Sequence, residues 1–302
     1  MDRSITPLEL FRLWRAYTEF REPLISPSTI ARDYYAIEKR IVRMRKLAPG
    51  LTDARDMRDW LLGQFARETT RRTIQQFGAA CKWAVSEDML GENPFDGLQR
   101  YLVPLRKMQT NTHTAFELLE RDAIIEAFAA EDEFYTWWVA FLFKTGCRPE
   151  EARALKWKHI AVDFSQIHIC EAWPVDTNIL QGTKNYQATR FPCNYSLQLF
   201  LCTLHGQTSH EPDDYLFKSV TGRPFDYRRF QLRHWQPLVE KLVVHGKVAF
   251  YMPQYHCRHT FITQLVRSGL GLKDISYLCR VSVATLMRFY VSPSRTVEVP
   301  HF

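Results

Sequence analysis

The chain has 302 residues, more than most single domains contain, and this length predicts two domains. With 46% apolar and 24% charged residues, the composition excludes a disordered chain, and no apolar run approaches the roughly 18 residues of a membrane span. Forty Lys and Arg residues against 33 Asp and Glu residues give a net charge of +7, which favours a polyanionic partner such as nucleic acid.

The seven cysteines are scattered along the chain and form no C-x-x-C pair. This pattern argues against a disulfide framework and against a zinc knuckle, and it favours reduced thiols. The chain does not open with a charged segment followed by an apolar run, so we expect a cytoplasmic protein that does not contact a membrane. The sequence lacks a glycine-rich phosphate loop, and we expect no cofactor.

Residues 1–100 are predicted to form a bundle of about four helices. Thr6, with Glu9 three positions later, is a capping-box pattern that marks the start of the first helix. The basic residues of this region are candidate contacts to a nucleic-acid backbone, although a solvated basic face has the same sequence pattern. They are Lys39, Arg40, Arg43, Arg45, Lys46, Arg71 and Arg72.

Residues 101–113 lack a clear apolar periodicity and mix Pro, Asn, Thr and basic residues, which is typical of a linker. From residue 114 to residue 302 the pattern predicts a second domain that opens with helices. Two β-prone runs follow between about residues 160 and 195, separated by the turn-like segment NILQGTKN. Helical patterns then resume, so we expect a mainly α fold with a small antiparallel β-sheet.

Two basic residues of this domain stand where a cation can meet a bound anion. Arg148 follows the glycine-containing turn in TGCRPEEARALKW, and Pro149 suits the first position of a new helix. The N–H groups at a helix start favour an anion, and Glu151 could hold the guanidinium in place. Lys184 lies in the predicted turn, where it could donate a proton to a ligand. Taken singly, each of these cations is more commonly an ordinary surface residue.

The segment YHCRHTFITQL contains two histidines, a cysteine and an arginine in adjacent positions. It could serve as a metal site, as a Cys-His nucleophile pair or as a grip on an anion. Adjacent helical positions face different ways, and no distant Cys or His pair completes a tetrahedral set, which argues against zinc. Cys257 precedes core-like sequence and has no separate base in view, which argues against a thiol nucleophile. Arg258 remains, because two arginines can clamp two oxygens of one phosphate.

A tyrosine near the C-terminus completes an ordered set of residues. Tyr290 lies at the end of a predicted helical hairpin, where an aromatic side chain is most often structural. However, Arg148 in TGCRPEEARALKW, Lys184 in TKNYQATRFP, Arg258 in RHTFIT and Tyr290 follow one another in the chain. This order resembles the active sites of tyrosine recombinases, the phage integrase family. The resemblance covers residues 115–292 well and extends more loosely to the helical residues 1–100, which are similar to the family's core-binding domain, a DNA-binding domain.

The resemblance implies a site-specific DNA recombinase or integrase that needs neither metal nor ATP. Tyr290 is then the nucleophile that forms a 3′-phosphotyrosyl link. Arg148 and Arg258 neutralise the phosphate, and Lys184 is the general acid for the departing 5′ oxygen. A second 5′-hydroxyl attacks the link, so the energy of the phosphodiester is kept through strand exchange.

Two positions depart from the family pattern. The family usually has His or Lys three residues before the second arginine, and this chain has Tyr255, whose ordinary pKa of about 10 suits a base poorly. We expect Tyr255 to contact the phosphate, with His256 as the second choice. Arg280, in LCRVS where the family commonly has Gly-His, stands at the usual His or Trp position. It is either a third cation at the phosphate or a helix-surface arginine. His259 is expected to brace the site through buried hydrogen bonds.

The resemblance also implies a C-shaped clamp around double-stranded DNA, with the helical domain on one face and the catalytic domain on the other. It implies a tetramer on two DNA sites, in which the tail VSPSRTVEVPHF docks onto a neighbouring subunit. Such a protein is expected at the nucleoid of a prokaryote or of a phage-infected cell. Two alternatives stay open: a non-catalytic DNA-binding protein with the same fold, and a type IB topoisomerase that relaxes supercoils.

Overall fold

The computed structural model describes residues 4–102, 114–183, 188–207, 210–218, 222 and 224–291. The chain divides into two compact units, Met1–Gln109 and Thr110–Phe302. Each unit has a hydrophobic core of its own. Among the described residues, no helix is both long and apolar enough to span a bilayer.

Four α-helices build the described part of the first unit. They are α1 (Pro7–Arg21), α2 (Tyr35–Leu47), α3 (Ala54–Gln64) and α4 (Arg67–Ser86). The predicted capping box starts α1, where Glu9 N donates to Thr6 Oγ1 at 3.2 Å and Thr6 N donates to Glu9 Oε2 at 2.8 Å. Trp14 from α1 and Phe77 from α4 are fully buried, as the apolar periodicity requires of a helical bundle.

Helices also dominate the second unit. They are α5 (Leu118–Glu131), α6 (Glu133–Thr145), α7 (Pro149–Ala154), α8 (Tyr195–Gln207), α9 (Tyr227–Phe230), α10 (Gln236–Val244), α11 (His256–Arg267), α12 (Leu272–Cys279) and α13 (Val283–Phe289). Helix α6 runs through the core, since Trp138 and Phe141 are completely buried and both contact the ring of Phe217. The mainly α fold expected from the sequence is confirmed.

The strands form two small antiparallel pairs. Strand β1 (Gln166–Ile169) pairs with β4 (Thr189–Pro192), and β2 (Glu171–Ala172) pairs with β3 (Gln181–Gly182). Ile167 and Ile169 point into the core, which agrees with the predicted β-prone run. The segment NILQGTKN was expected to be a turn, but it contains β3. A two-residue strand with a glycine has little β-propensity of its own, so its pairing with β2 depends on the surrounding fold.

The last three helices share a small core of their own. Ile262 from α11, Ile275 and Cys279 from α12 and Leu286 from α13 are buried together, and Tyr290 packs against them. The helical hairpin predicted near the C-terminus is therefore present as α12 and α13. This packing fixes the end of α13 beside α11, which carries Arg258 and its histidine neighbours.

Candidate active site

A glycine turn between α6 and α7 places Arg148. Gly146 ends α6 with a left-handed φ of 59°, and a Cβ added there would lie 2.5 Å from Cδ1 of Phe261. Only glycine suits both the backbone angle and the close ring. Arg148 then takes the N-cap position of α7, with Pro149 in the first turn as predicted.

Glu151 is the buried anion of the site. Its side chain is 1% exposed, and its Oε1 accepts from Arg148 Nη1 at 2.6 Å. Its Oε2 accepts from Arg280 Nη2 at 2.8 Å and from the backbone N of Arg148 at 3.0 Å. Burial acts to raise the pKa of Glu151, but the guanidinium groups of Arg280 and Arg148 outweigh burial and lower the pKa to about 2. The carboxylate is therefore ionised at neutral pH and orients both arginines.

Arg258 is held by backbone carbonyls from two other elements. Its Nη1 donates to Gly146 O at 2.7 Å, and its Nη2 donates to Cys279 O. Arg148 Nη2 donates at 2.7 Å to the next carbonyl, that of Arg280. Consecutive carbonyls at the end of α12 thus hold both guanidinium groups, so the two arginines predicted as a phosphate clamp converge on one place. A guanidinium has five N–H donors, of which the contacts in the described site use two in each arginine.

Arg280 is buried and does not lie at the helix surface. Its side chain is 5% exposed. It bonds Glu151 through Nε at 3.2 Å and Nη2 at 2.8 Å, and it donates from Nη1 to Leu278 O at 2.9 Å. Its φ of 51° is left-handed, a conformation that glycine adopts most easily.

Tyr290 contacts a histidine. The Tyr290 hydroxyl lies 2.5 Å from Nδ1 of His259, and the two ring centroids are 5.8 Å apart. Burial raises the pKa of Tyr290 well above its usual value, while the positive charges of Arg258 and Arg148 oppose that rise. The phenol is consequently protonated at neutral pH until a base takes its proton.

Tyr255 and His256 flank that histidine. The Tyr255 ring is 5.3 Å from the ring of His259, and the His256 ring is 5.0 Å from it. Tyr255 is 40% exposed at the start of α11, whereas His256 is half-buried and donates from Nδ1 to Pro253 O at 3.2 Å. Of the two residues named for the phosphate, Tyr255 has the more accessible side chain.

Burial argues against Cys257 as a thiol nucleophile or a metal ligand. Its side chain is 1% exposed, and burial raises the pKa of its thiol well above the usual value. Within the described ranges, no three His, Cys, Asp or Glu side chains are grouped as ligands for a metal ion. Lys184 and the tail from residue 292 to residue 302 lie outside the described residues.

The basic residues named in the first unit differ in how far their charges are already paired. Lys39 and Lys46 are exposed on α2, whereas Arg71 and Arg72 both bond Glu68, at 2.7 and 2.9 Å. Arg40 and Arg43 donate to Thr73 Oγ1 and Gln64 Oε1, and Arg45 lies over the Phe11 ring. Lys39 also lies over the exposed Tyr35 ring, as Arg45 does over that of Phe11, and the charges of both lysines remain accessible to solvent.

Sequence reasoning placed His259 in the site but missed what it contacts. His259 and Tyr290 are 31 positions apart, and no periodicity links a residue of α11 to the end of α13. The contacts of the two arginines with carbonyl oxygens were missed for the same reason, since backbone acceptors leave no mark in a sequence. The one signal was the adjacency of His259 to Arg258.

Comparison with known proteins is consistent with this geometry. Residues 116–294 match the model of the phage integrase family. Tyrosine recombinase XerC of Bacillus subtilis (strain 168) is 23% identical over 248 residues, which cover 80% of this chain and 76% of that protein. The Tn1549 transposon integrase, solved in complex with a circular intermediate DNA, superposes with a TM-score of 0.76 at 15% identity. That likeness covers 95% of this chain and 96% of the other.

A second solved structure has the same fold. Lambda integrase bound to DNA superposes with a TM-score of 0.65 at 11% identity, covering 98% of this chain and 100% of that chain. At these identities the two solved structures establish only a shared fold. The family model, in contrast, matches more than half of the chain, and this match establishes the family. The chain belongs to the phage integrase family of tyrosine-type site-specific recombinases.

Proposed function

We propose that the protein cleaves and rejoins double-stranded DNA at specific sites through a 3′-phosphotyrosyl intermediate formed by Tyr290. The observation that carries this proposal is the convergence of Arg148 and Arg258 on the carbonyls of Arg280 and Cys279, in the same small unit that holds the Tyr290 hydroxyl beside His259. These groups supply the nucleophile and the positive charge that phosphoryl transfer requires.

In this reaction the oxygen of Tyr290 attacks the phosphorus and the bond to the 5′ oxygen breaks. Charge builds on the nonbridging oxygens, and the remaining N–H donors of Arg148 and Arg258 neutralise it. Glu151 keeps Arg148 in position for that contact, and Arg280 keeps Glu151 in position. Arg258 is 3% exposed, so we propose that side chains around it move when a phosphate enters.

The remaining roles follow from the family resemblance. We assign Lys184 as the general acid for the 5′ oxygen and Tyr255 as a phosphate ligand. The helical unit is proposed to contact the DNA backbone through its exposed basic residues. Four subunits are proposed to assemble on two DNA sites, with the C-terminal tail bound by a neighbour. We further propose that the protein acts in the cytoplasm, at the nucleoid of a prokaryote or of a phage-infected cell.

The DNA repeats that flank the gene in its genome are the first candidate sites. Nicked duplexes that carry each repeat lose a short strand on cleavage, which traps the covalent intermediate for a denaturing gel. We expect a protein-DNA band with the wild type and none with Tyr290→Phe. A Tyr290→Phe band as strong as that of the wild type would refute the assignment. Relaxation of a plasmid without any repeat would instead indicate a topoisomerase.

A further inference from the structure

The chain lacks the usual candidate for a base next to the nucleophile. The position three residues before Arg258 is Tyr255, and a phenol accepts a proton poorly at neutral pH. Burial raises the pKa of the Tyr290 hydroxyl, so this nucleophile needs a base more than an exposed tyrosine does. The question is which group of the described site can accept the proton.

His259 is the side chain in position to do so. Its Nδ1 lies 2.5 Å from the Tyr290 oxygen, within hydrogen-bond reach, and the residue is 9% exposed. A neutral imidazole has one unprotonated ring nitrogen, and its ordinary pKa of about 6.5 suits proton transfer near neutral pH.

Both ends of this contact are held by packed structure. Next to His259, Thr260 Oγ1 accepts from Phe116 N at 2.9 Å, which ties α11 to the start of the second unit. On the other side, Tyr290 N donates to Leu286 O at 2.9 Å, and the Leu286 side chain on α13 is fully buried. These contacts hold the two side chains within hydrogen-bond reach of each other.

We propose that Nδ1 of His259 takes the hydroxyl proton of Tyr290 as the tyrosine oxygen bonds to phosphorus, and that it returns this proton when the DNA is rejoined. In cleavage, the O–H bond of Tyr290 and the bond from phosphorus to the 5′ oxygen break, and a phosphotyrosyl bond forms. The 5′ oxygen leaves with a proton from the general acid, assigned to Lys184. In rejoining, the incoming 5′-hydroxyl loses its proton to that acid's conjugate base, and imidazolium protonates the departing tyrosine oxygen.

The groups that face His259 fit this assignment. Tyr255 and His256 approach it from the start of α11, and Tyr290 approaches it from the end of α13. Arg258 and Arg148 act on Tyr290 as positive charges, and they would stabilise the phenolate once the proton has moved. The assignment rests on the proposed function, because it concerns the same cleavage reaction.

The test compares His259→Asn with the wild type in single-turnover cleavage of a nicked duplex. The Asn carbonyl oxygen can accept the Tyr290 hydrogen bond, but it cannot carry a proton near neutral pH. We expect cleavage to slow by roughly 10²- to 10⁴-fold, and the rise of the wild-type rate with pH through the imidazole range to disappear. His245→Asn, at an exposed histidine after α10, is the matched control.

Two chemically modified reactants distinguish a general base at His259 from a residue that only supports the structure of the site. A substrate with sulfur in place of the bridging 5′ oxygen needs no general acid, so it should rescue Lys184→Ala and leave the His259→Asn defect in place. With 3,5-difluorotyrosine in place of Tyr290, the nucleophile ionises more readily, and the loss caused by His259→Asn should shrink. DNA binding and the melting temperature of each variant show that it is folded. If His259→Asn does not fold, the wild-type pH profile with and without difluorotyrosine decides the question.

The outcomes are distinct for the two proposals. If the wild type forms no covalent band on any repeat, the proposed function itself is wrong. If the wild type forms the band and His259→Asn cleaves at the same rate with the same pH profile, only the role of His259 is wrong. A pH-dependent limb lost in His256→Asn and kept in His259→Asn would move the base to His256. Rescue of His259→Asn by the sulfur substrate would make His259 part of the acid step and would also overturn the proposal.

Discussion

Arg148 donates from Nη2 to the backbone oxygen of Arg280 at 2.7 Å, across 132 positions of the chain. The Arg280 side chain in turn bonds Glu151, which bonds Arg148. The start of α7 and the end of α12 are therefore joined by a closed set of charged contacts. Because Glu151 and Arg280 are buried and Arg148 is partly buried, a change at one of the three residues affects the other two.

Removal of the Glu151 charge should unfold the second unit more readily. Glu151→Gln leaves the buried Arg280 and the partly buried Arg148 guanidinium groups without their anion, and breaking a buried ion pair in this way costs about 3 to 5 kcal/mol. Urea denaturation of both proteins at pH 7 measures the difference in the free energy of unfolding.

The same variant predicts a change in acid stability. The pKa of Glu151 is lowered to about 2 in the fold, from a usual 4.5, so its stabilisation is present above pH 4.5 and is lost as the pH falls toward 2. Stability of the wild type should fall over this window more steeply than that of Glu151→Gln. Parallel curves for the two proteins would show that the carboxylate does not hold the arginines.

Gly146→Ala should reduce both stability and cleavage. The new Cβ would lie 2.5 Å from Cδ1 of Phe261, and the backbone is left-handed, so the turn that positions Arg148 must shift. We expect a loss of at least about 1 kcal/mol in unfolding free energy and slower formation of the covalent band.

Two other glycines separate the causes. Gly269→Ala has a positive φ of 79° but open space around the added Cβ, so it reports the backbone cost alone. Gly206→Ala lies in α8 with ordinary backbone and open space, and it should be neutral or slightly stabilising. A Gly146→Ala protein no less stable than Gly269→Ala would argue against the close approach of Phe261.

Arg280 should tolerate glycine better than alanine. Both substitutions remove the contacts with Glu151, but only glycine accepts the φ of 51° without strain, a difference of about 1 kcal/mol. Thermal unfolding of Arg280→Gly and Arg280→Ala measures this. Equal stabilities would mean that the backbone at residue 280 is not held in the left-handed region.

The exposed lysines of α2 should contribute to the salt dependence of DNA binding. If Lys39 and Lys46 each neutralise one phosphate, the double variant Lys39→Ala/Lys46→Ala should bind a random duplex with a weaker salt dependence. The magnitude of the slope of the logarithm of the binding constant against the logarithm of the salt concentration should fall by about 2. Arg71→Ala should change the slope less, because Glu68 already pairs with that guanidinium. An unchanged slope in the double variant would mark α2 as a merely solvated face.

Local features of the fold were predictable from the sequence, and contacts between distant segments were not. The capping box at Thr6, the helix start at Pro149 and the run around Ile167 follow from neighbouring residues. The short strand Gln181–Gly182 has no such local signal, because it exists only through its pairing with β2.

The candidate site divides in the same way. Its member residues were found from their order and spacing, including Arg148, Arg258 and Tyr290. Arg280 was predicted at the phosphate or on the surface, but its side chain is buried against Glu151. The position of Arg280 in the sequence does not reveal that its backbone is left-handed or that its side chain turns into the protein. The contact of His259 with Tyr290 was hidden for a similar reason, since it depends on how α13 packs on α11.

The most direct test of the account is to identify the residue that becomes linked to DNA. The covalent adduct from a nicked duplex is digested with protease and nuclease, and mass spectrometry locates the remaining nucleotide. We predict a 3′-phosphate linked to Tyr290. A nucleotide on Tyr255 or Tyr277, or a wild-type protein that cleaves its site without any protein-DNA bond, would contradict the account.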